Sequence, residues 1–209
     1  MLDNHFFEQG STKAITRNLL GHELVYQSPA GTVAGLIVEA EAYLGVLDST
    51  AHAYRGRRSP ANEALYGPPG TIYIYSLRGH YMLDIATQAA DEPQGILIRG
   101  LEPTQGLELM QARRRKTGFE LTNGPAKLTQ ALGITSLAMN LKLLGEVPLT
   151  ISQQRLQQPQ QVAQSPRINV SARGSWTQKP LRFFVAHNPY VSQMRKTQID
   201  QQHYGWQSS

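Results

Sequence analysis

The sequence predicts a single mixed α+β domain. Strand-like segments joined by short turn signals dominate the first half, helix-like segments are interspersed singly among them, and no regular strand–helix alternation of a parallel sheet appears. With 209 residues, 40% hydrophobic and 17% charged, the chain is too apolar for disorder. A chain of this length buries roughly 70% of its unfolded surface, so one core suffices. Residues 1–209 therefore read as one domain, with a glutamine-rich loop at 153–164 and a polar, loose tail at 193–209.

Each element has a local reason. Residues 11–21 predict a helix, with Ser11 as N-cap, Ile15, Leu19 and Leu20 on one face and Gly21 as terminator. Residues 23–27 and 32–43 predict strands across the turn Ser28-Pro29-Ala30-Gly31. A polar loop follows to Gly70, with a short helix after Ser59-Pro60. Residues 71–76 and 80–87 read as strands across the tip Leu77-Arg78-Gly79, and 95–101 as another. Residues 104–116 read as a helix with Leu107, Leu109 and Met110 inward and Arg113, Arg114, Arg115 and Lys116 near its C-terminus, where cations suit the helix dipole. Asn123-Gly124-Pro125 opens a helix that Gly133 closes. Short strands follow at 148–152, 166–171 and 181–186. Seven of the twelve residues at 153–164 are glutamine, which reads as surface loop.

Composition excludes several chemistries. The absence of cysteine removes disulfides, thiolate nucleophiles and Cys-based metal or iron–sulfur sites, and suits a reducing compartment. The first ten residues have no apolar signal-peptide core, and the longest apolar run, 33–38, is too short to span a bilayer, so a cytoplasmic protein without a membrane partner is expected. Neither a phosphate-binding loop nor a dinucleotide glycine fingerprint occurs. A zinc-helix motif and a nucleophile elbow are also missing, and the six histidines are scattered. The net charge of +5 admits an anionic partner.

Four constellations could do chemistry. In the strand Ile37-Val38-Glu39-Ala40-Glu41-Ala42-Tyr43, Glu39, Glu41 and Tyr43 share one face opposite Leu36, Val38, Ala40 and Ala42. That face is either a solvated acidic edge or a carboxylate beside an aromatic wall, suited to a general base next to a flat substrate. Tyr73 and Tyr75 likewise share a face, for packing or for stacking. Arg78 and His80 mark the hairpin tip, either solvated or placed to enter a nucleic-acid groove. Arg55, Arg57 and Arg58, the run 113–116, and Lys127 at a helix start are solvated charges or phosphate contacts.

Taken in order, Val38-Glu39-Ala40-Glu41-Ala42-Tyr43-Leu44-Gly45, Ala51-His52, Gly70-Thr71-Ile72-Tyr73-Ile74-Tyr75, Leu97-Ile98-Arg99-Gly100-Leu101-Glu102-Pro103, Asn123-Gly124-Pro125-Ala126-Lys127-Leu128, Pro166-Arg167-Ile168 and Lys179-Pro180-Leu181-Arg182-Phe183 resemble the alkyladenine (3-methyladenine) DNA glycosylase family, over residues 6–192. The resemblance implies a curved antiparallel sheet with flanking helices and a protruding β-hairpin. It implies a monofunctional DNA-repair enzyme, expected to be a monomer without metal or cofactor, that flips a damaged purine out of double-stranded DNA and hydrolyses its N-glycosidic bond. By residue, it makes Glu41 the general base and Arg99 the group that positions it and its water. Tyr43, His52 and Tyr75 become the rings around the extruded base, and the Ile168 carbonyl a further water contact. Arg55, Arg57, Arg58, Arg78 and Lys127 fall on the DNA side.

Three positions depart from the family pattern. Arg78 stands where an aromatic or histidine wedge is usual. Asp84 replaces a pocket asparagine that excludes normal guanine, and Asn169 stands where glycine is frequent. These departures keep a non-catalytic binder of alkylated DNA in view. A carboxylate beside aromatic rings would also serve a nucleoside or small-glycoside hydrolase.

Overall fold

The computed structural model describes residues 1–171 and 174–208; Ser209, the last residue of the expected tail, lies outside them. Helix α1 (Thr12–Leu19) begins at Ser11, whose hydroxyl accepts from the Ala14 N–H as its pattern predicts. Strand β1 (Glu23–Ser28) turns tightly into β2 (Gly31–Tyr43), the longest strand. Single 3₁₀ turns at Gly45–Leu47, Tyr54–Gly56 and Glu63–Tyr66 fill the loop before β3 (Ile72–Leu77). A two-residue turn leads into β4 (His80–Thr87). Arg78 and Gly79 there both have positive φ (52° and 78°), the geometry that matches strand twist in tight hairpins. The tip residues 76–80 are exposed. Strand β5 (Gln94–Gln105), helices α2 (Leu107–Arg114) and α3 (Pro125–Leu132), and strands β6 (Leu149–Ile151), β7 (Val162–Ser165) and β8 (Arg182–Val185) complete the fold.

The eight strands form one antiparallel sheet in the order β3-β4-β5-β2-β1-β6, with β8 joining β2 to β7. Strand β2 is its centre. Along one edge β5 pairs with residues 34–43; along the other, β1 covers residues 31–36 and β8 takes over at 39–41. Residues 33–42 are all buried, so both faces of this central strand are covered as well as its edges. The acidic face of β2 is therefore not solvated: Glu39 and Glu41 are each 0% exposed. The fold is a single mixed α+β domain.

Four local expectations are corrected. The segment read as a helix from 104 is strand to Gln105, because that residue still pairs with Ala34. Gly106, at φ 73°, then makes the break. Leu107 consequently points outward and is 47% exposed, whereas Met110 is buried. Residues 166–171 are irregular rather than extended. The last strand before them is β7, inside the stretch read as glutamine-rich loop, and it pairs with β8. The tail is not loose: Trp206 is 6% exposed, donates its indole N–H to Glu102 at 2.9 Å and bridges to Pro159. One large apolar ring anchors an otherwise polar segment.

Candidate active site

The register between β2 and β5 steps past Val38 on one strand and past Arg99 on the other: Ile37 faces Leu101, Glu39 faces Gly100 and Ala40 faces Ile98. Arg99 thus opposes no β2 residue directly, and its guanidinium is free to meet the β2 carboxylates. Its Nε donates to Glu39 Oε1 at 3.0 Å and lies 3.3 Å from Glu41 Oε1. Glu39 also receives Arg182 Nε (2.6 Å), the Ser192 N–H (2.7 Å) and the Ser192 hydroxyl (2.7 Å). Burial pushes the Glu39 carboxyl up, but Arg99, Arg182 and Ser192 outweigh it and hold it below the usual range.

Glu41 is served differently. Its Oε2 accepts from the Tyr43 hydroxyl at 2.9 Å and its Oε1 from the Ile168 N–H at 2.8 Å. Burial dominates and raises its pKa, with Arg99, the Ile168 N–H and Tyr43 opposing. For Ile168, expected to contact water through its carbonyl, the structure adds a second contact: its N–H donates to the carboxylate. The segment carrying Ile168 is fixed by Arg167, whose guanidinium grips fully buried Asp48 at 2.6 and 2.9 Å, donates to the Ala42 carbonyl and stacks 4.5 Å above the Tyr43 ring. Asn169 follows at φ 56°, a conformation that glycine and asparagine tolerate.

Above this platform lies a cavity of about 440 Å³, lined by Tyr43, His52, Tyr73, Tyr75, Asp84 and Asn169 among others. The expected base-pocket residues therefore converge, except that Ile168 touches the site from below through its amide. The rings are mutually braced. Tyr73 and Tyr75 stack at 4.9 Å and 26°, and His52 meets Tyr75 edge-on at 4.7 Å. His52 Nδ1 and the Tyr73 hydroxyl share a 2.8 Å hydrogen bond. Desolvation among these rings, with Arg57 nearby, lowers the His52 pKa and favours its neutral form, although the residue as a whole is exposed. Glu41 and Arg99 do not line the cavity; the Tyr43 hydroxyl connects Glu41 to its wall.

The basic residues differ in their exposure and engagement. Arg55, Arg57 and Arg78 are exposed, and Arg57 lines the cavity. Arg58, expected to act with them, is paired with Glu63 and Asp91 and covers the Tyr66 ring at 4.5 Å. In the run 113–116, Arg113 turns inward to the Ala131 and Leu132 carbonyls at the end of α3. Lys127 is tied to Asn123 at the α3 start, at 2.7 Å. The sequence reading missed Glu39, Arg182, Ser192, Asp48 and the partner role of Tyr73. Glu39 and Arg182 stand inside motifs already quoted, and two glutamates two apart on a strand were a signal for a shared counter-ion. No group of three or more His, Cys, Asp or Glu among the described residues is placed to hold a metal, and no helix among them is long and apolar enough to cross a membrane.

A carboxylate clamped under an aromatic cavity is the equipment of a hydrolase for a flat substrate. The family described as Methylpurine-DNA glycosylase (MPG) matches residues 5–189. A protein of Latilactobacillus sakei subsp. sakei (strain 23K) is 50% identical over 202 residues, 96% of this chain and 95% of that one. One of Lactiplantibacillus plantarum is 45% identical (96% of each chain), and one of Enterococcus faecalis 38% (97% of this chain, 88% of that one). Each is named "Putative 3-methyladenine DNA glycosylase". This chain belongs to the methylpurine-DNA glycosylase family, DNA-repair hydrolases of the N-glycosidic bond whose substrate is damaged DNA.

Proposed function

We propose that this protein flips an alkylated purine out of duplex DNA into the aromatic cavity and hydrolyses its N-glycosidic bond, leaving an abasic site and an uncut strand. The observation that carries the reading is the position of Glu41: fully buried, one strand row from the cavity, and gripped by Arg99, Tyr43 and the Ile168 amide. A cavity of about 440 Å³ is in the size range of small-molecule pockets, roughly 300–1,000 Å³, and its tyrosines supply the electron-rich faces that attract a cationic alkylated base.

In the reaction, the C1′–N bond breaks with its electron pair passing to the base. Water adds to C1′, and its proton passes to the Glu41 carboxylate. The anion also stabilises the oxocarbenium character that develops at C1′. Arg99 holds that carboxylate ionised and in place. Because Glu41 has no exposed surface, water reaches it when Tyr43 or the segment carrying Ile168 shifts on DNA binding. The described cavity lining includes no lysine, which supports hydrolysis without an imine and hence without strand cleavage. Arg78 at the hairpin tip fills the gap left by the flipped base, and Arg55, Arg57 and Lys127 contact phosphates.

The test is base release. Glu41→Gln should lower excision of 3-methyladenine by about 10²–10⁴-fold while binding to an abasic-site mimic persists. Undiminished release would remove Glu41 from the chemistry. A wild-type protein that binds methylated DNA yet liberates no free purine would favour the non-catalytic reading.

A further inference from the structure

Among the described residues, Asp84 is the buried carboxylate that no cation neutralises. Among the described residues four carboxylates are buried, Glu39, Glu41, Asp48 and Asp84, against three buried guanidiniums, Arg99, Arg167 and Arg182. Arg99 and Arg182 serve Glu39 and Glu41, and Arg167 serves Asp48. Asp84 is 4% exposed, has no ion pair among the described residues, and its Oδ1 is enclosed without a hydrogen-bond partner. Yet it lines the cavity. An isolated carboxylate so placed is relieved by taking up a proton. Burial, reinforced by the charge of Glu41, indeed raises its pKa well above the ordinary value.

The sheet sets the relation between the two acids. Leu97 of β5 is paired with Glu41 on one side and with Asp84 on the other, so all three side chains share one face. Two strand spacings separate the acids, roughly 9.5 Å at the backbone. One is held by an arginine; the other has no counter-ion among the described residues and faces the cavity. Two carboxyl groups with divergent environments flanking a scissile glycosidic bond divide the work of base and acid.

We propose, building on the glycosylase reading above, that Asp84 is the general acid that protonates the departing base when that base is a neutral purine. As the C1′–N bond breaks and its electron pair moves to the base, the Asp84 O–H delivers its proton to a nitrogen of the base and becomes a carboxylate. Water adds to C1′ and loses its proton to Glu41. Afterwards the proton gained by Glu41 replaces the one lost by Asp84 through solvent exchange, so the sum is one water consumed per base released. A purine already cationic from alkylation leaves without this proton. The ionisable groups around Asp84 are Tyr73 and Tyr75 of β3 and Glu41 and Tyr43 of β2. Arg99 of β5 is held by Glu39 and Glu41, while His52 and Arg57 share the cavity wall.

The experiment compares single-turnover release of hypoxanthine (neutral) and 7-methylguanine (cationic) from duplex DNA across a range of pH, for the wild type and Asp84→Asn. The variant keeps size and polarity but has no proton to give. The ratio of hypoxanthine to 7-methylguanine release should fall about 10²-fold or more in the variant, and the alkaline limb of the hypoxanthine profile should disappear. An unchanged ratio overturns the assignment, as does a wild type that releases 7-methylguanine but no hypoxanthine. A wild type that releases neither base overturns the glycosylase reading itself.

Discussion

Replacing Asp84 by asparagine should stabilise the protein, by a margin that widens as pH rises. In the unfolded chain an aspartate ionises near pH 3.9. In the folded chain Asp84 keeps its proton far above that, because burial and the neighbouring Glu41 charge raise its pKa well beyond the ordinary value. Between the two pKa values the folded state holds one proton more than the unfolded state, so rising pH favours unfolding by about 1.4 kcal/mol per pH unit. The loss stops once pH passes the folded-state pKa. Asparagine carries no such proton and removes this slope. Glu39 and Glu41 titrate in both proteins and cancel in the difference while Asp84 is neutral. For a chain of this size, about 1.4 kcal/mol corresponds to roughly 3–6 °C in Tm. Urea unfolding of both proteins at a series of pH values measures the gap directly. Parallel stability curves, or a variant weaker by a constant amount, would refute a buried neutral Asp84.

The other predictions concern the supports of the site and the tail. Release of the cationic base 7-methylguanine should fall on the acid side, with a midpoint above that of an ordinary carboxylate, because the base Glu41 must be ionised and burial raises its pKa. A rate flat through that region would exclude Glu41 as the base. Asp48→Ala leaves the Arg167 guanidinium buried without its partner, at a cost of roughly 3–5 kcal/mol in denaturant titrations. Base release should fall with it, since Arg167 anchors the segment that brings the Ile168 N–H to Glu41; full activity in that variant would separate the anchor from the chemistry. Trp206→Ala should cost about 3–5 kcal/mol by the same titration, and a loss under 1 kcal/mol would return the tail to the status of a loose end.

Much of the fold was legible locally. The caps at Ser11 and Gly133 and the turn before Gly31 are written in single residues whose backbone preferences are strong, and the tip read at Leu77-Arg78-Gly79 narrows in the structure to Arg78-Gly79. The errors fell where neighbours outvote local preference. Residues 104 and 105 stay extended because β2 offers ladder partners, residues 166–171 leave the extended form because Arg167 is pulled to Asp48, and Trp206 finds a pocket distant in sequence. Of the site, the motifs supplied Glu41, Tyr43, His52, Tyr75 and Arg99. They did not supply the counter-ion network, since its members are separated by scores of residues.

What the sequence by itself determined is the identity of the chemistry-bearing residues and their alternation: two glutamates and a tyrosine on one face of one strand, two tyrosines on one face of another, and no thiol anywhere. Alternation follows from the backbone of a single strand, and composition needs no fold. What the tertiary structure decided is the charge state each acid can hold. Glu39, Glu41, Asp48 and Asp84 are all buried carboxylates. Burial penalises each one's charge, and only the arginines that the sheet brings from other strands and loops can offset that penalty. Three acids receive one. Among the described residues Asp84 does not, so long-range pairing rather than residue type sets apart the acids that share one face of the sheet.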